Sequence, residues 1–269
     1  MKTLSRRGLM LILATVLTLA IGVIASESVY ADNINVYVTV ERTLIANQDP
    51  ILEPYKVTVP SGSTVVDILN QVRTNLGSSV FDYTMTGSVA NGTAYIRGFK
   101  VSGHPDFYYE DDYEFVDEYN DACPMFEDFY WDPDYCNNPP LSNSWLQHGD
   151  FNFWGGWIVS ANNTITWDEN ATSIDESYPN ASSQITQDNT VLRFEYTCAL
   201  ARDCGYDGWD LLMPDTQAEA FYTAADKSAL VRAMANETNK TGAAYLNGLA
   251  VLKNMTASQS TVNAAVNMF

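Results

Sequence analysis

Positive charge is scarce in this chain. Its 269 residues include 14 Lys and Arg against 33 Asp and Glu, with 2 His, for a formal net charge of −19. Nucleic-acid binding draws on a basic face that displaces phosphate counterions, and the sequence offers none. Glycine-rich phosphate loops are missing too, since Gly205 and Gly208 stand among acids that repel phosphate. No Gly-x-Ser-x-Gly elbow occurs, so a serine nucleophile has no anchor in the sequence. Paired carboxylates for glycoside hydrolysis carry no signal where acids are so abundant. His104 in Gly-His-Pro-Asp and His148 in Gln-His-Gly-Asp have the ingredients of a metal site or an acid–base pair. Single His residues in Gly/Pro loops more often sit solvated or cap a turn. Disorder is also excluded: 46% of the residues are hydrophobic, and 16 Tyr, 11 Phe and 6 Trp give ample material for a core.

The N-terminus carries an export pattern. Lys2, Arg6 and Arg7 precede an uncharged run of 17 residues from Leu9 to Ala25, and Val29-Tyr30-Ala31 places small residues where a signal peptidase reads them. Residues 1–31 are therefore expected to be a signal peptide, cleaved to leave Asp32 first. A membrane anchor is the rival, but the run is short for a span. Ser5-Arg6-Arg7-Gly8-Leu9-Met10 is similar to a twin-arginine signal, while the Leu-rich run favours the general secretory route. No Cys follows the run, which argues against a lipoprotein. Cleavage removes Lys2, Arg6, Arg7 and Glu27, leaving 11 basic and 32 acidic residues and a net charge of −21. Such a surface attracts cations and repels acidic polymers.

Four cysteines remain, at positions 123, 136, 198 and 204. An even number in an exported chain reads as disulfides, with three connectivities open. The local pairs Cys123–Cys136 and Cys198–Cys204 are favoured because short loops close with the least entropy loss. Zinc knuckles need tighter spacing.

Along the mature chain, Ile34 to Val40 and Tyr55 to Val59 alternate as strands joined by a long hairpin connection. Ser63 is placed to cap a helix carrying Val65, Ile68, Leu69, Val72 and Leu76, which ends near Gly77. Tyr95–Val101, Trp157–Val159 and Thr190–Tyr196 supply three further strands. The order strand, strand, helix, strand, strand, strand predicts an α+β fold: a β-grasp mixed sheet over one helix. Val57-Thr58-Val59-Pro60-Ser61-Gly62-Ser63-Thr64-Val65-Val66-Asp67-Ile68-Leu69 resembles the corresponding segment of the transcobalamin-like C-terminal domain. The resemblance continues in Gly156 to Asn162 and in Gln187 to Tyr196, covering roughly residues 34–197. Asn163 stands where the family has Gly, and Asp188-Asn189 where it has Gly-Asp. The resemblance implies a β-grasp domain over residues 32–204. In vertebrate relatives this domain closes one face of a cobalamin site, but the helical barrel that forms the other face has no counterpart here.

Residues 102–150 read as a long insertion. Between Asp106 and Tyr135 stand 12 acidic and 11 aromatic residues, with no Lys or Arg. The bland expectation is a disulfide-pinned surface loop. The functional one is a ligand surface built from Tyr108, Tyr109, Tyr130 and Trp131, joined by Trp145, Trp154 and Trp157 from the tryptophan-rich stretch that follows. Trp157 lies on a strand and also suits the core. Asp111, Asp112, Glu114, Asp117 and Glu118 are oxygen donors for a Ca²⁺ ion, although EF-hand spacing is absent. No cofactor is certain.

Residues 205–223 read as a linker. From 224 onward the composition shifts to Ala, Leu, Val, Asn and Lys. Asp226 and Ser258 are helix caps, and Leu230, Val231, Met234, Tyr245, Leu249, Leu252, Val262, Ala265, Val266 and Phe269 form apolar stripes. The expectation is a small three-helix bundle. Ala225-Asp226-Lys227-Ser228-Ala229-Leu230 and Ser258 to Val266 resemble the start and end of a FIVAR repeat, a three-helix spacer of Gram-positive surface proteins. Thr241-Gly242-Ala243-Ala244-Tyr245 departs from the usual second-helix start. No sorting pentapeptide or stop-transfer segment follows, so covalent wall attachment is not expected. Asn-x-Ser/Thr sequons begin at Asn91, Asn162, Asn170, Asn180, Asn236, Asn239 and Asn254. Chance explains most of them, and glycosylation has meaning only in a eukaryotic or archaeal host.

The expected function is binding or adhesion by a secreted or cell-surface protein of a bacterium. It has no catalytic activity, no nucleic-acid partner and no membrane span after signal cleavage. The acidic–aromatic insertion meets an extracellular glycan, protein or small molecule. Capture of cobalamin or a related corrinoid is the alternative, and a secreted hydrolase comes third.

Overall fold

Strand β1 (Asn33–Glu41) buries both of its faces. Ile34, Val36, Val38 and Val40 point one way, and Tyr37, Thr39 and Glu41 the other. The structure is a computed structural model. It describes residues 32–44, 48–101, 144–150, 155–165, 180–197, 200–209, 217–220 and 222–269. Strand β2 (Leu52–Pro60) pairs antiparallel with β1, with Val36 opposite Val57 and Ile34 opposite Val59. On the other side of β1 lies β9 (Thr190–Thr197), parallel to it, with Val38 opposite Leu192 and Glu41 opposite Glu195. Strand β7 (Gly156–Ala161) pairs antiparallel with β9 and completes a mixed sheet of order β2-β1-β9-β7.

A parallel pair needs a crossover, and the chain between β1 and β9 provides it. After β3 (Ser63–Thr64), helix α1 (Val65–Leu76) buries Val65, Val66, Ile68, Leu69 and Val72 against the apolar face of β1 and β2. Its cap is Thr64, not the expected Ser63. Thr64 Oγ1 accepts the amide of Asp67, and Asp67 Oδ2 accepts the amide of Thr64. Ser63 has Val66 three residues on and cannot close that reciprocal pair. Its hydroxyl donates instead to the Pro60 carbonyl at 2.7 Å. Gly77 ends the helix at φ +83°, where a side chain would be strained.

Not all the strands join one sheet. Strands β4 (Tyr83–Thr86), β5 (Tyr95–Lys100) and β6 (Trp145–Gln147) form a separate antiparallel sheet of three. The segments flanking the acidic stretch, β5 and β7, thus belong to different sheets, where the sequence reading places them in one. A common core joins them. Phe99 of β5 stands edge-on to Trp157 of β7 at 4.8 Å between ring centroids and to Phe194 of β9 at 5.3 Å. Phe81 and Tyr83 pack around it. The short ladders β3–β8 (Gln184–Ile185) and β10–β11 (Gly208–Trp209 with Gln217–Ala218) complete the sheet structure of the described residues.

Helices α2 (Ser228–Asn236), α3 (Ala243–Lys253) and α4 (Gln259–Val266) touch one another and cover the second face of the four-stranded sheet. Leu230, Val231, Met234, Tyr245, Leu252 and Val262 share an apolar cluster with Tyr37 of β1 and Val191 of β9. Polar contacts reinforce the seam. The Tyr245 hydroxyl donates to Glu53 at 2.7 Å, and Lys253 pairs with Asp49 at 2.8 Å. As expected, Ser258 caps α4 through the amide of Thr261. At the start of α2 the cap position is Lys227, one residue after the expected Asp226, whose Oδ1 accepts the Ser228 amide. The described residues are thus mixed α+β, with a mixed sheet and four α-helices. None of these helices is long and apolar enough to cross a membrane.

Phe99 is fully buried where the two sheets meet. Phe99→Ala is expected to lower the unfolding free energy by about 3–5 kcal/mol, read from urea or guanidinium denaturation. A loss under about 1 kcal/mol would show that the sheets do not share a core through this ring.

Candidate functional site

Two places in the described fold bear on function: the root of the acidic–aromatic insertion, and a buried cluster of charges between sheet and helices. At the root, Lys100 of β5 faces Trp145 of β6, and the Val101 amide donates to the Ser144 carbonyl at 3.0 Å. Residues 101 and 144, the described ends on either side of this stretch, are therefore adjacent on one small sheet. Residues 144–150, which the sequence reading counts within the insertion, carry β6 and the turn after it.

Of the expected ligand residues, Trp145 is half-buried on β6. Trp157 is buried in the core at 7% exposure, with its indole Nε1–H donating to the Leu146 carbonyl at 3.0 Å and its ring edge-on to Tyr196 at 5.2 Å. Tyr108, Tyr109, Tyr130, Trp131 and Trp154 lie outside the described residues. So do the proposed calcium ligands Asp111, Asp112, Glu114, Asp117 and Glu118, and also Cys123, Cys136, Cys198 and His104. Cys204 is buried in a short 3₁₀ turn, its Sγ 3.5 Å from the Tyr196 carbonyl. His148 lies near the insertion root, its Nδ1 3.1 Å from the Tyr95 hydroxyl. Burial, helped by Arg97, holds its pKa below the ordinary value. Among the described residues no group of three or more His, Cys, Asp or Glu is poised for a metal ion.

The charge cluster is absent from the sequence reading. Arg193, fully buried on β9, donates through Nε and Nη2 to the two oxygens of Glu41 at 2.9 and 2.8 Å, a bidentate pair. The same Nη2 reaches Glu195 Oε1 at 2.8 Å. The Tyr206 hydroxyl donates to Glu195 Oε2 at 2.9 Å and lies 3.2 Å from Ser160 Oγ. Lys227, just before α2 and 3% exposed, donates to the Leu252 and Asn254 carbonyls at 2.8 and 2.7 Å, at the negative end of α3. Glu41, Arg193, Glu195 and Lys227 face a crevice also lined by Thr43, Cys204, Tyr222 and Met255. Thr43 Oγ1 is buried there with no hydrogen-bond partner. The cavity volume is about 20 Å³, room for one water and not for an organic substrate.

Burial pushes Glu195 up to about 7 against the pull of Arg193. Burial, assisted by Arg193, lowers Lys227 to about 8. Arg193 loses solvation but gains more from Glu195 and Glu41, and is held well above its usual value. The cluster's geometry is that of a satisfied ionic joint, with the guanidinium fork filled by two carboxylates and the lysine spent on carbonyls. The clue in the sequence is narrow: a single Arg between alternating apolar residues, in a chain where Arg is rare, with Glu two places on. Alternation was legible in β9, whereas burial of its polar face was not.

No family model matches this chain, and no curated protein is significantly similar to it.

Arg193→Met would leave two buried carboxylates without a counter-charge, and is expected to cost about 3–5 kcal/mol in denaturation. The raised Glu195 contributes stability that is full below about pH 4.5 and lost as pH rises toward 7. The lowered Lys227 contributes stability that is full above about pH 10.5 and lost as pH falls through about 8. Between pH 7.5 and 5.5 the melting temperature of the wild type should therefore gain relative to that of Glu195→Gln, the lowered His148 working in the opposite direction in both proteins. A Glu195→Gln protein that keeps the wild-type slope would refute the assignment.

Proposed function

We propose that this chain is an exported, cell-surface binding or adhesion protein without catalytic activity, whose contact surface is the acidic–aromatic insertion. The observation that carries this reading is the hydrogen-bonded closure at Val101 and Ser144. A segment that leaves and re-enters at one point of a small sheet can vary in sequence without disturbing the core, as binding loops on rigid scaffolds do. Its composition supports the same view. Aromatic rings offer large contact area at low entropic cost, and the excess of acids selects basic or polyhydroxyl partners and also suits Ca²⁺.

On this reading the sheets and α1 are a β-grasp variant of the transcobalamin-like type, and α2–α4 a FIVAR-like three-helix unit. Cobalamin remains a test ligand. The described crevice is too small for a corrinoid. Glycan and protein arrays probed with the mature chain, beside a version whose residues 102–143 are replaced by a short turn, test the proposal. The expected result is binding by the mature chain that the replacement abolishes. Equal binding by both, or none by the folded mature chain, would contradict it. A change in Trp fluorescence on cobalamin titration would favour small-molecule capture.

A further inference from the structure

Two of the six described sequons share a geometry that the other described ones lack. Asn239 and Asn254 stand in the turns at the two ends of α3, and both are exposed. In each, the hydroxyl two residues on donates back to the asparagine: Thr241 Oγ1 to Asn239 Oδ1 at 3.2 Å, and Thr256 Oγ1 to Asn254 Oδ1 at 3.3 Å. In each, the middle residue makes a contact of its own with the fold. Lys240 reaches Glu53 at 3.2 Å and lies over the Tyr245 ring, and Met255 lines the buried crevice. Asn and Thr are thereby presented together on one small exposed surface. Neither Nδ2 makes a hydrogen bond among the described residues, so a substituent there displaces no hydrogen bond of theirs, although Asn239 Nδ2 lies close over Gly242.

The other described sequons differ. The Asn236 Nδ2 donates to the Tyr37 hydroxyl at 3.3 Å and to the Arg232 carbonyl at 2.8 Å, and Tyr37 belongs to the helix–sheet core. Asn162 is half-buried at φ +49°, with its Oδ1 accepting the Val191 amide. Asn180 is half-buried with its Oδ1 on the Ser182 amide. Asn91 is exposed, but the hydroxyl of its Thr93 is engaged with Ser88.

We infer that Asn239 and Asn254 are attachment sites for asparagine-linked glycans, one at each end of α3. The donor is a lipid-linked sugar phosphate. The bond between the anomeric carbon and the phosphate oxygen breaks, and a carbon–nitrogen bond forms to Nδ2. The amide loses one proton to a transferase base, and the lipid phosphate leaves. Oδ1 stays free to accept the Thr hydroxyl after transfer. This inference goes beyond the contact surface proposed above and rests on export. It also commits the source cell to an asparagine-linked transferase outside its cytoplasm, and so speaks against the expected bacterial source.

The test is peptide mass spectrometry, with electron-transfer fragmentation, of the chain purified from the cells that naturally make it. The expected result is sugar mass on Asn239 and Asn254, with Asn236 and Asn162 bare. Asn239→Gln and Asn254→Gln should each remove one glycan and leave the melting temperature within about 1 °C. Bare Asn239 and Asn254, or sugar on Asn236 or Asn162 in their place, overturn the inference. In a chain that begins at Asp32 that result overturns it alone. In a chain that keeps residues 1–31 the export reading falls as well.

Discussion

Arg193 sits at the middle of a strand whose sheet is covered on both faces, and its charge has nowhere to go but to Glu41 and Glu195. That constraint reaches through the architecture. Glu41 and Glu195 are opposite one another in the parallel β1–β9 ladder, so both carboxylates meet the guanidinium only in one register. A slip by one residue would swing Arg193 into the face occupied by Leu192, Phe194 and α1, where it has no partner. The ionic joint thus sets strand alignment more than it adds net stability, since desolvation consumes most of its attraction. Lys227 extends the same logic to the helices, anchoring the start of α2 to the end of α3 beside the cluster.

The molecule separates two uses of charge. On the helix-covered face of the four-stranded sheet, Glu41 and Glu195 share the charge of Arg193. In the insertion acids are dense and carry no basic residue between Asp106 and Tyr135. Among the described residues, a hydrogen bond from the Val101 amide to the Ser144 carbonyl joins the two ends of that stretch. This arrangement lets a strongly acidic sequence coexist with a core that tolerates almost no uncompensated charge.

Much of the fold was legible because periodicity reports burial of one face. Strands β1, β2, β5, β7 and β9 and the stripes of α1 and α2 follow from alternation or helical spacing. Strands β4 and β6 did not, since four residues of Tyr-Thr-Met-Thr and three of Trp-Leu-Gln are too short for a period to emerge. Division into two sheets was hidden for a related reason: which strands pair is decided by packing around Phe99, and a local pattern does not record it. The charge cluster escaped because alternation marks one buried face and is silent about what covers the other. In β9 that second face carries Val191, Arg193 and Glu195, and helices more than thirty residues away in sequence cover it. The cap on Thr64 was missed by one position, and Asp67 gave the clue.

The central claim is that residues 102–143 are separable from the core that presents them. The most direct measurement is the unfolding free energy of the mature chain and of one in which a short turn joins Val101 to Ser144. The account predicts a shortened chain that is no less stable, and up to about 2 kcal/mol more stable because the loop to be closed is more than three doublings shorter, with an unchanged denaturant dependence. A loss of several kcal/mol, or failure of the shortened chain to fold, would show that the insertion is part of the core and would remove it as a separable contact surface.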